Sequence, residues 1–228
     1  MKKHSALLSA LLIGALAAGA QSAMAFGLGS ITAAIPGVGG SSSSSVSAGD
    51  IDGFIKTAQD ADTMISTATA HIFKAVANKD EIAALEARQT AANDIADPAE
   101  KAAEINKIKN DQATAVQKAL ASQDVQAKLQ GMSKAQLKSF SNAAYTFMLG
   151  ALKDKQLVEG SQALVSGVAA NPTLLPRLAT LKNAVSSVSA QAVNTGKIGE
   201  GLLKLASSGK IAALPKSASE PAKPVDAM

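Results

Sequence analysis

The sequence predicts an all-α fold: an irregular antiparallel helical bundle of about five to seven helices, with flexible N- and C-terminal tails. Alanine supplies about a fifth of the residues, aromatic residues supply 3%, and tryptophan is absent. Alanine has the highest helix propensity, whereas aromatic and β-branched residues favour strands. Several segments also carry apolar residues at alternating spacings of three and four, which is typical of helices packed along one face. All seven prolines fall in predicted loops, helix starts or tails.

The first 25 residues have the pattern of a signal peptide. A basic start precedes an apolar run from Ala6 to Ala20, and Ala23 and Ala25 provide the small-x-small pattern at which a signal peptidase cleaves. The apolar run is too short for a transmembrane helix. We therefore expect cleavage near Ala25 and a mature bacterial protein that is periplasmic or secreted.

Residues 26–49 are expected to form an apolar leader and a Gly/Ser-rich linker. The serine run 41–45 has no side chain that could join a core. In an alternative interpretation, the leader is a short peptide that contacts a membrane surface or a partner, because it is too short to span a bilayer. The candidate contact residues are Phe26, Leu28, Ile31, Ile35 and Val38.

Residues 50–209 are expected to form a single helical domain, and its first helix has the clearest pattern. Ser47 and Asp50 offer capping oxygens for a helix from Ile51 to Val76. Its apolar seam consists of Ile51, Phe54, Ala58, Ala61, Ile65, Ala68, Ile72 and Ala75.

Two further helices are predicted on either side of Pro98. Asp80 can cap the first of them, which must end near Asp97 because a residue before proline disfavours the helical conformation. Asp97 then caps a helix with Pro98 in its first turn. That helix either continues past Ser122 or restarts there, and Gly131 ends it.

The second half of the domain begins with a capping box formed by Ser133 and Gln136. The helix that follows is predicted to contain the thick part of the core, and a less regular apolar stretch lies between Gly160 and Gly167. The apolar seam of the helix that begins after Ser133 consists of Leu137, Phe140, Ala144, Phe147, Ala151 and Leu152.

The last helices are predicted between Pro172 and Gly209. A helix from Leu174 or Pro176 is expected to end at Gly196, and a short amphipathic helix is expected over Ile198 to Ala206. Residues 210–228 contain three prolines among Ala, Ser and Lys, so we expect a disordered tail in which Ile211 and Leu214 can still dock.

The residues available for chemistry are few. Without cysteine, the chain has neither disulfides nor thiolate metal sites. His71, the one histidine after the signal peptide, is predicted to flank the core, and its neighbours do not form a nucleophile turn. The pairs Asp50/Asp52 and Asp60/Asp62 are two residues apart, so on a helix their carboxylates point in different directions. We expect no catalytic residue, no metal and no cofactor; a carboxylate-based hydrolase is a weaker alternative.

The distribution of charge along the chain and the expected export of the protein indicate what kind of partner it binds. Residues 50–124 carry 13 acidic and 8 basic side chains, whereas residues 125–228 carry 5 acidic and 12 basic ones. Helices of opposite charge can pair within the bundle, or the basic half can meet an anionic surface. We expect a non-enzymatic helical protein that binds another envelope protein as a structural, chaperone-like or assembly component. The alternative partner is anionic lipid or a lipid acyl chain, and nucleic acid is not expected because basic and aromatic residues do not cluster.

Overall fold

The computed structural model describes residues 46–225, and over this range the chain forms six α-helices and no strand. The predicted all-α helical bundle is therefore confirmed. A 3-10 turn, Leu175–Arg177, precedes the last helix. The helices are α1 Ala48–Val76, α2 Lys79–Asn93, α3 Pro98–Ala121, α4 Asp124–Gly131, α5 Lys134–Ala169 and α6 Leu178–Ser207. Among the described residues, no helix is long and apolar enough to cross a bilayer.

The predicted caps begin three of these helices. In the capping box of α1, the Asp50 amide donates to Ser47 Oγ over 3.3 Å and the Ser47 amide donates to Asp50 Oδ2 over 2.8 Å. The same reciprocal pair joins Ser133 and Gln136 at α5. Asp97 Oδ1 accepts two backbone N–H groups at α3. Each cap satisfies donors that the first helical turn leaves free.

The cap of α2 is Asn78 and not the predicted Asp80. The Glu81 amide donates to Asn78 Oδ1 over 2.8 Å, and the Asn78 amide donates to Glu81 Oε2 over 2.9 Å. An acid three residues after Asn78 completes this capping box, so the helix begins earlier than expected.

Two helices are longer than the glycines suggested. α5 continues through Gly160 and Gly167, and α6 continues through Gly196, where the sequence predicted a stop. Ile198 and Leu202 are buried on the same helix that carries Gly196, so tertiary packing outweighs the cost of an internal glycine. α6 ends instead before Gly209, whose φ of +69° suits glycine, and the Lys210 amide donates to the Leu205 carbonyl.

α5 is the central helix and runs antiparallel to α1. Gly150 lies against Ala61 and Ile65, and Gly167 lies against Val46, so residues that come later in α5 meet earlier residues near and within α1. Packing of α6 on α5 is also antiparallel, whereas α1, α3 and α6 run parallel to one another. α2 packs mainly on α3.

The buried apolar residues form two clusters, one toward each end of the bundle. The first contains Ile65 to Val76 of α1, Phe140 to Phe147 of α5 and Ile198 to Leu205 of α6. The second contains Ile51 and Phe54 of α1, Leu157 to Val168 of α5, and Leu181 and Val188 of α6. Between the clusters the helices meet through small or polar residues, among them Ala61, Gly150 and Asp154. We call this level of the bundle the waist.

Residues 210–225 differ from the disordered tail that the prolines predicted. Ile211 is buried in the first cluster, and Leu214 packs against it. Tyr145 Oη donates to Glu220 over 2.7 Å, and Thr146 Oγ1 donates to the Lys223 carbonyl over 3.1 Å. The segment therefore lies along the first half of α5, because apolar anchors and side chains of α5 together hold it.

Candidate functional site

A groove opens on one side of the waist, between α1, α3 and α6. Its volume is about 470 Å³, and Ile65, Phe147 and Ile198 supply its apolar surface. The remaining lining residues are mostly amides, hydroxyls and one pair of opposite charges. They are Asp62, Ser66, Thr69, Asn106, Lys109, Asn110, Gln112, Ala113, Ser187, Ala190, Gln191, Asn194 and Thr195. We call this feature the polar groove.

Asp62 connects the three walls of the polar groove. Its carboxylate accepts from Lys109 Nζ of α3 over 3.2 Å and from Gln191 Nε2 of α6 over 3.4 Å. Asp62 and Lys109 are the only charged side chains in the lining, and each is about half exposed. Their opposite charges offset each other, so the polar groove has hydrogen-bonding capacity but little net charge.

Four of the five amide side chains in the polar groove make no hydrogen bond to another described residue. Asn106, Asn110 and Asn194 are exposed. Gln112 is 6% exposed, but its amide is not among the fully buried unpartnered groups, so it faces the solvent of the polar groove. Each amide carries two donors and an acceptor. The lining therefore offers several unused donors and acceptors to a bound molecule.

Three hydroxyl groups of the polar groove differ from the amides because they already donate hydrogen bonds. Ser66, Thr69 and Thr195 donate to backbone carbonyls of their own helices, over 2.7, 2.7 and 3.0 Å. A hydroxyl that has donated its hydrogen still has lone pairs that can accept. These side chains therefore present acceptors beside the donors of the neighbouring amides.

Asp154 lies in the waist but does not line the polar groove. It is completely buried on α5, and neither carboxylate oxygen has a hydrogen-bond partner among the described residues. Burial, followed by the negative charge of Asp62, raises the pKa of Asp154 to about 7. A raised pKa beside a cleft is a common sign of a functional residue. Asp62 lines the polar groove, whereas Asp154 is not among its lining residues.

Of the described residues that the sequence offered for chemistry, Asp62 lines the polar groove and the others do not. The cleavage residues Ala23 and Ala25 and the leader contacts Phe26, Leu28, Ile31, Ile35 and Val38 are outside the described residues. His71 is partly buried, and its pKa is lowered by burial and then by Lys74. Asp50 caps α1, and Asp52 pairs with Arg177. Within residues 46–225, no group of three acidic or histidine side chains could hold a metal ion.

The opposite charges of the two halves of the sequence pair only rarely. Of the six ion pairs among described residues, only Arg177–Asp52 joins residues 50–124 to the rest. Arg88 of α2, for example, binds Glu104 and Asp111 of α3, in the same half. Pairing between acidic and basic helices therefore accounts for little of the charge asymmetry.

Comparisons of the chain with protein-family models, with curated proteins and with solved structures found no match. The function is therefore inferred from the geometry and chemistry of the polar groove.

Proposed function

We propose that this chain is an exported, non-enzymatic helical protein that binds another protein of the bacterial envelope or secretome. The polar groove holds an uncharged, extended segment of that partner. The proposed compartment, periplasm or extracellular medium, depends on the signal-peptide pattern that ends near Ala25. The observation that carries the proposed binding mode is the set of unpartnered amides around the nearly buried Gln112.

The chemistry of the polar groove suits a peptide backbone. An extended backbone presents alternating N–H and C=O groups, and an amide side chain can both donate to and accept from such groups. The Asp62/Lys109 pair is internally neutralised, so a charged ligand would find no unpaired opposite charge there. An acyl chain is a poorer ligand, because it would leave the amides of the lining dehydrated and unpaired.

The dimensions of the polar groove suit a short stretch of backbone. Its lining runs from Asp62 to Thr69 on α1 and from Ser187 to Ile198 on α6. At 1.5 Å per helical residue these spans correspond to about 10 and 16 Å. An extended chain rises about 3.3 Å per residue, so roughly three to five residues of a partner fit.

A matched pair of variants on α6 tests this proposal. Asn194 lines the polar groove, whereas Asn183 is exposed on the same helix outside it. The mature wild-type protein serves as bait in an extract of the native envelope, and the captured protein is purified and titrated in a defined binding assay. We expect Asn194→Lys to weaken binding at least tenfold and Asn183→Lys to leave it unchanged. Equal affinities of both variants and the wild type would exclude the polar groove as the binding site.

Lipid binding is the alternative, favoured by the leader pattern over residues 26–38 and by the basic second half. Its test is flotation of the mature protein with vesicles containing anionic lipid, at low and high salt. Flotation that is lost at high salt, and lost after removal of residues 26–38, would favour this alternative over the polar groove. Turnover of a substrate that a single carboxylate substitution abolishes would contradict both proposals.

A further inference from the structure

Asp154 occupies a position on α5 that is otherwise apolar or small. Continuing from Phe147 at spacings of three and four, the seam of α5 passes through Gly150, Asp154 and Leu157. Asp154 is 0% exposed there, and both of its carboxylate oxygens are unpartnered among the described residues. A protonated carboxyl group tolerates such a site far better than an ionised one, because a buried charge without a partner is strongly unfavourable.

The charged groups around Asp154 increase this penalty. Asp62 faces it from α1 and carries the same charge as ionised Asp154. Lys109 of α3 is engaged with Asp62, and Lys153, the neighbour of Asp154 on α5, interacts with Asp60. α6 has no titratable residue between Lys182 and Lys197. No cation among the described residues therefore offsets a negative charge at Asp154.

Asp154 also lies where the helices meet through small or polar residues. It falls between the two apolar clusters, at the level of the polar groove. A 3.4 Å hydrogen bond between Asp62 and Gln191 joins α1 to α6 at this level. An ionised Asp154 would repel the carboxylate that makes this connection.

We propose that Asp154 is a proton-controlled latch on the polar groove. With its proton bound, Asp154 lets α6 remain packed against α1 and α5, which keeps the polar groove preformed. Loss of the proton loosens α6 at the waist and weakens partner binding, because a preformed site binds more tightly than a mobile one. This inference concerns regulation of the site in the proposed function and rests on that function for its biological meaning.

The direction of the pH effect follows from the proton balance. The buried carboxyl keeps its proton up to about pH 7, whereas an exposed one loses it near pH 4. Between these values the closed waist holds a proton that the opened waist has lost. Closure is therefore strongest in acid and weakens progressively as the pH rises toward 7.

Hydrogen exchange of backbone amides in residues 187–195 of α6 tests the latch without any partner. Exchange is measured at pH 5 and pH 7.5 and corrected for the intrinsic rates, in wild type, Asp154→Asn and Asp80→Asn. We expect protection in wild type to fall roughly 50-fold between the two pH values. Asp154→Asn should show no such fall, and Asp80→Asn, which removes an exposed carboxylate of α2, should behave like wild type. A wild type without pH dependence, or an Asp154→Asn variant that retains it, would overturn the proposal.

A second measurement needs no variant. The ¹³Cγ shift of Asp154 in the wild-type protein should titrate near pH 7, and a midpoint below pH 5 would also overturn the latch. The two proposals can fail separately. If exchange follows the expected pattern but Asn194→Lys binds the partner like wild type, the latch stands and the assignment of the binding site falls.

Discussion

Gly150 of α5 lies directly against Ile65 of α1, where these two antiparallel helices are in close contact. A Cβ atom at residue 150 would lie 2.7 Å from Ile65 Cγ1 and 3.1 Å from the Ala61 carbonyl oxygen. The first distance is too short for two carbon atoms, and the second is tighter than an ordinary contact and involves a backbone atom. Glycine is therefore required here for close approach of the helices, although it is a poor helix former.

Gly150→Ala should destabilise the protein despite the better helix propensity of alanine. We expect the free energy of unfolding to fall by about 1–3 kcal/mol, because α1 and α5 must move apart. Gly196→Ala is the matched control, since nothing lies within 4 Å of a Cβ there. Chemical denaturation should show that Gly196→Ala raises stability by up to about 1 kcal/mol. A stabilised Gly150→Ala variant would mean that the helices are not in contact at this point.

Arg88→Ala should loosen α2 without unfolding the rest of the bundle. Ala92 is the only residue of α2 that is buried, and Arg88 donates to Glu104 over 2.9 Å and to Asp111 over 2.7 Å on α3. We expect amide protection to fall within α2 and to stay unchanged in α5, with the global Tm lowered by less than about 2 °C. Arg88→Lys should give part of the same effect, because an ammonium group lacks the fork that reaches both carboxylates. An equal loss of protection in α5 would show that α2 unfolds only together with the core.

Ile211→Ala should destabilise the C-terminal segment. Ile211 is 7% exposed within the first cluster, whereas Leu203, of similar size, is 51% exposed on α6. We expect Ile211→Ala to lower the free energy of unfolding by about 1–3 kcal/mol and Leu203→Ala to change it by less than about 0.5 kcal/mol. Equal effects in thermal melts would indicate that residues 210–225 do not remain on α5 in solution.

The pair Tyr145 and Glu220 should release the C-terminal segment in acid. The hydrogen bond from Tyr145, and then those from the amides of Lys216 and Ser217, lower the pKa of Glu220. The ionised carboxylate therefore stabilises the docked segment above the ordinary glutamate pKa, and this stabilisation is lost as the pH falls through the lowered value. Tyr145 is the only tyrosine in a chain without tryptophan, so its emission reports on this contact. Emission should rise below about pH 4 as the quenching carboxylate is protonated, and Glu220→Gln should remove that transition.

Residues close together in the sequence determine the helix caps, which could be predicted. Contacts between distant residues determine the features that were not predicted. The caps at Ser47, Asp97 and Ser133 could be predicted because each depends on residues three positions apart. The stop predicted at Gly196 was wrong because helix continuation there depends on burial against α5, which a local pattern does not contain. Docking of Ile211 and Leu214 was allowed for from the sequence. The hydrogen bonds that Tyr145 and Thr146 make to residues 220 and 223 were not, because they depend on contacts between distant residues.

The polar groove could not be predicted from the sequence, whereas the unusual position of Asp154 could have been. The lining amides come from three helices, and each resembles an ordinary exposed residue until those helices are side by side. Asp154, by contrast, falls on the three-four spacing that runs from Phe147 through Gly150 to Leu157. An acidic residue on an otherwise apolar or small seam is a visible signal, because a lone polar group in a helical interface lowers stability while fixing the register of the helices.

Asp154→Asn should make the global stability of the protein less dependent on pH. In wild type, the free energy of unfolding should fall between pH 5 and pH 7.5 by roughly 2–3 kcal/mol on account of Asp154, because the unfolded chain loses this proton near pH 4 and the folded one near pH 7. Asparagine has nearly the same shape and no charge, so its variant should be close to wild type at pH 5 and more stable at pH 7.5. Denaturation in urea at both pH values measures the difference, with Asp80→Asn on α2 as the exposed-carboxylate control. Asp62→Asn should shift the wild-type transition toward lower pH, since it removes the like charge that helps to raise the pKa of Asp154. Parallel stability curves for wild type and Asp154→Asn would mean that water or a rearranged side chain solvates the Asp154 carboxylate in the folded state.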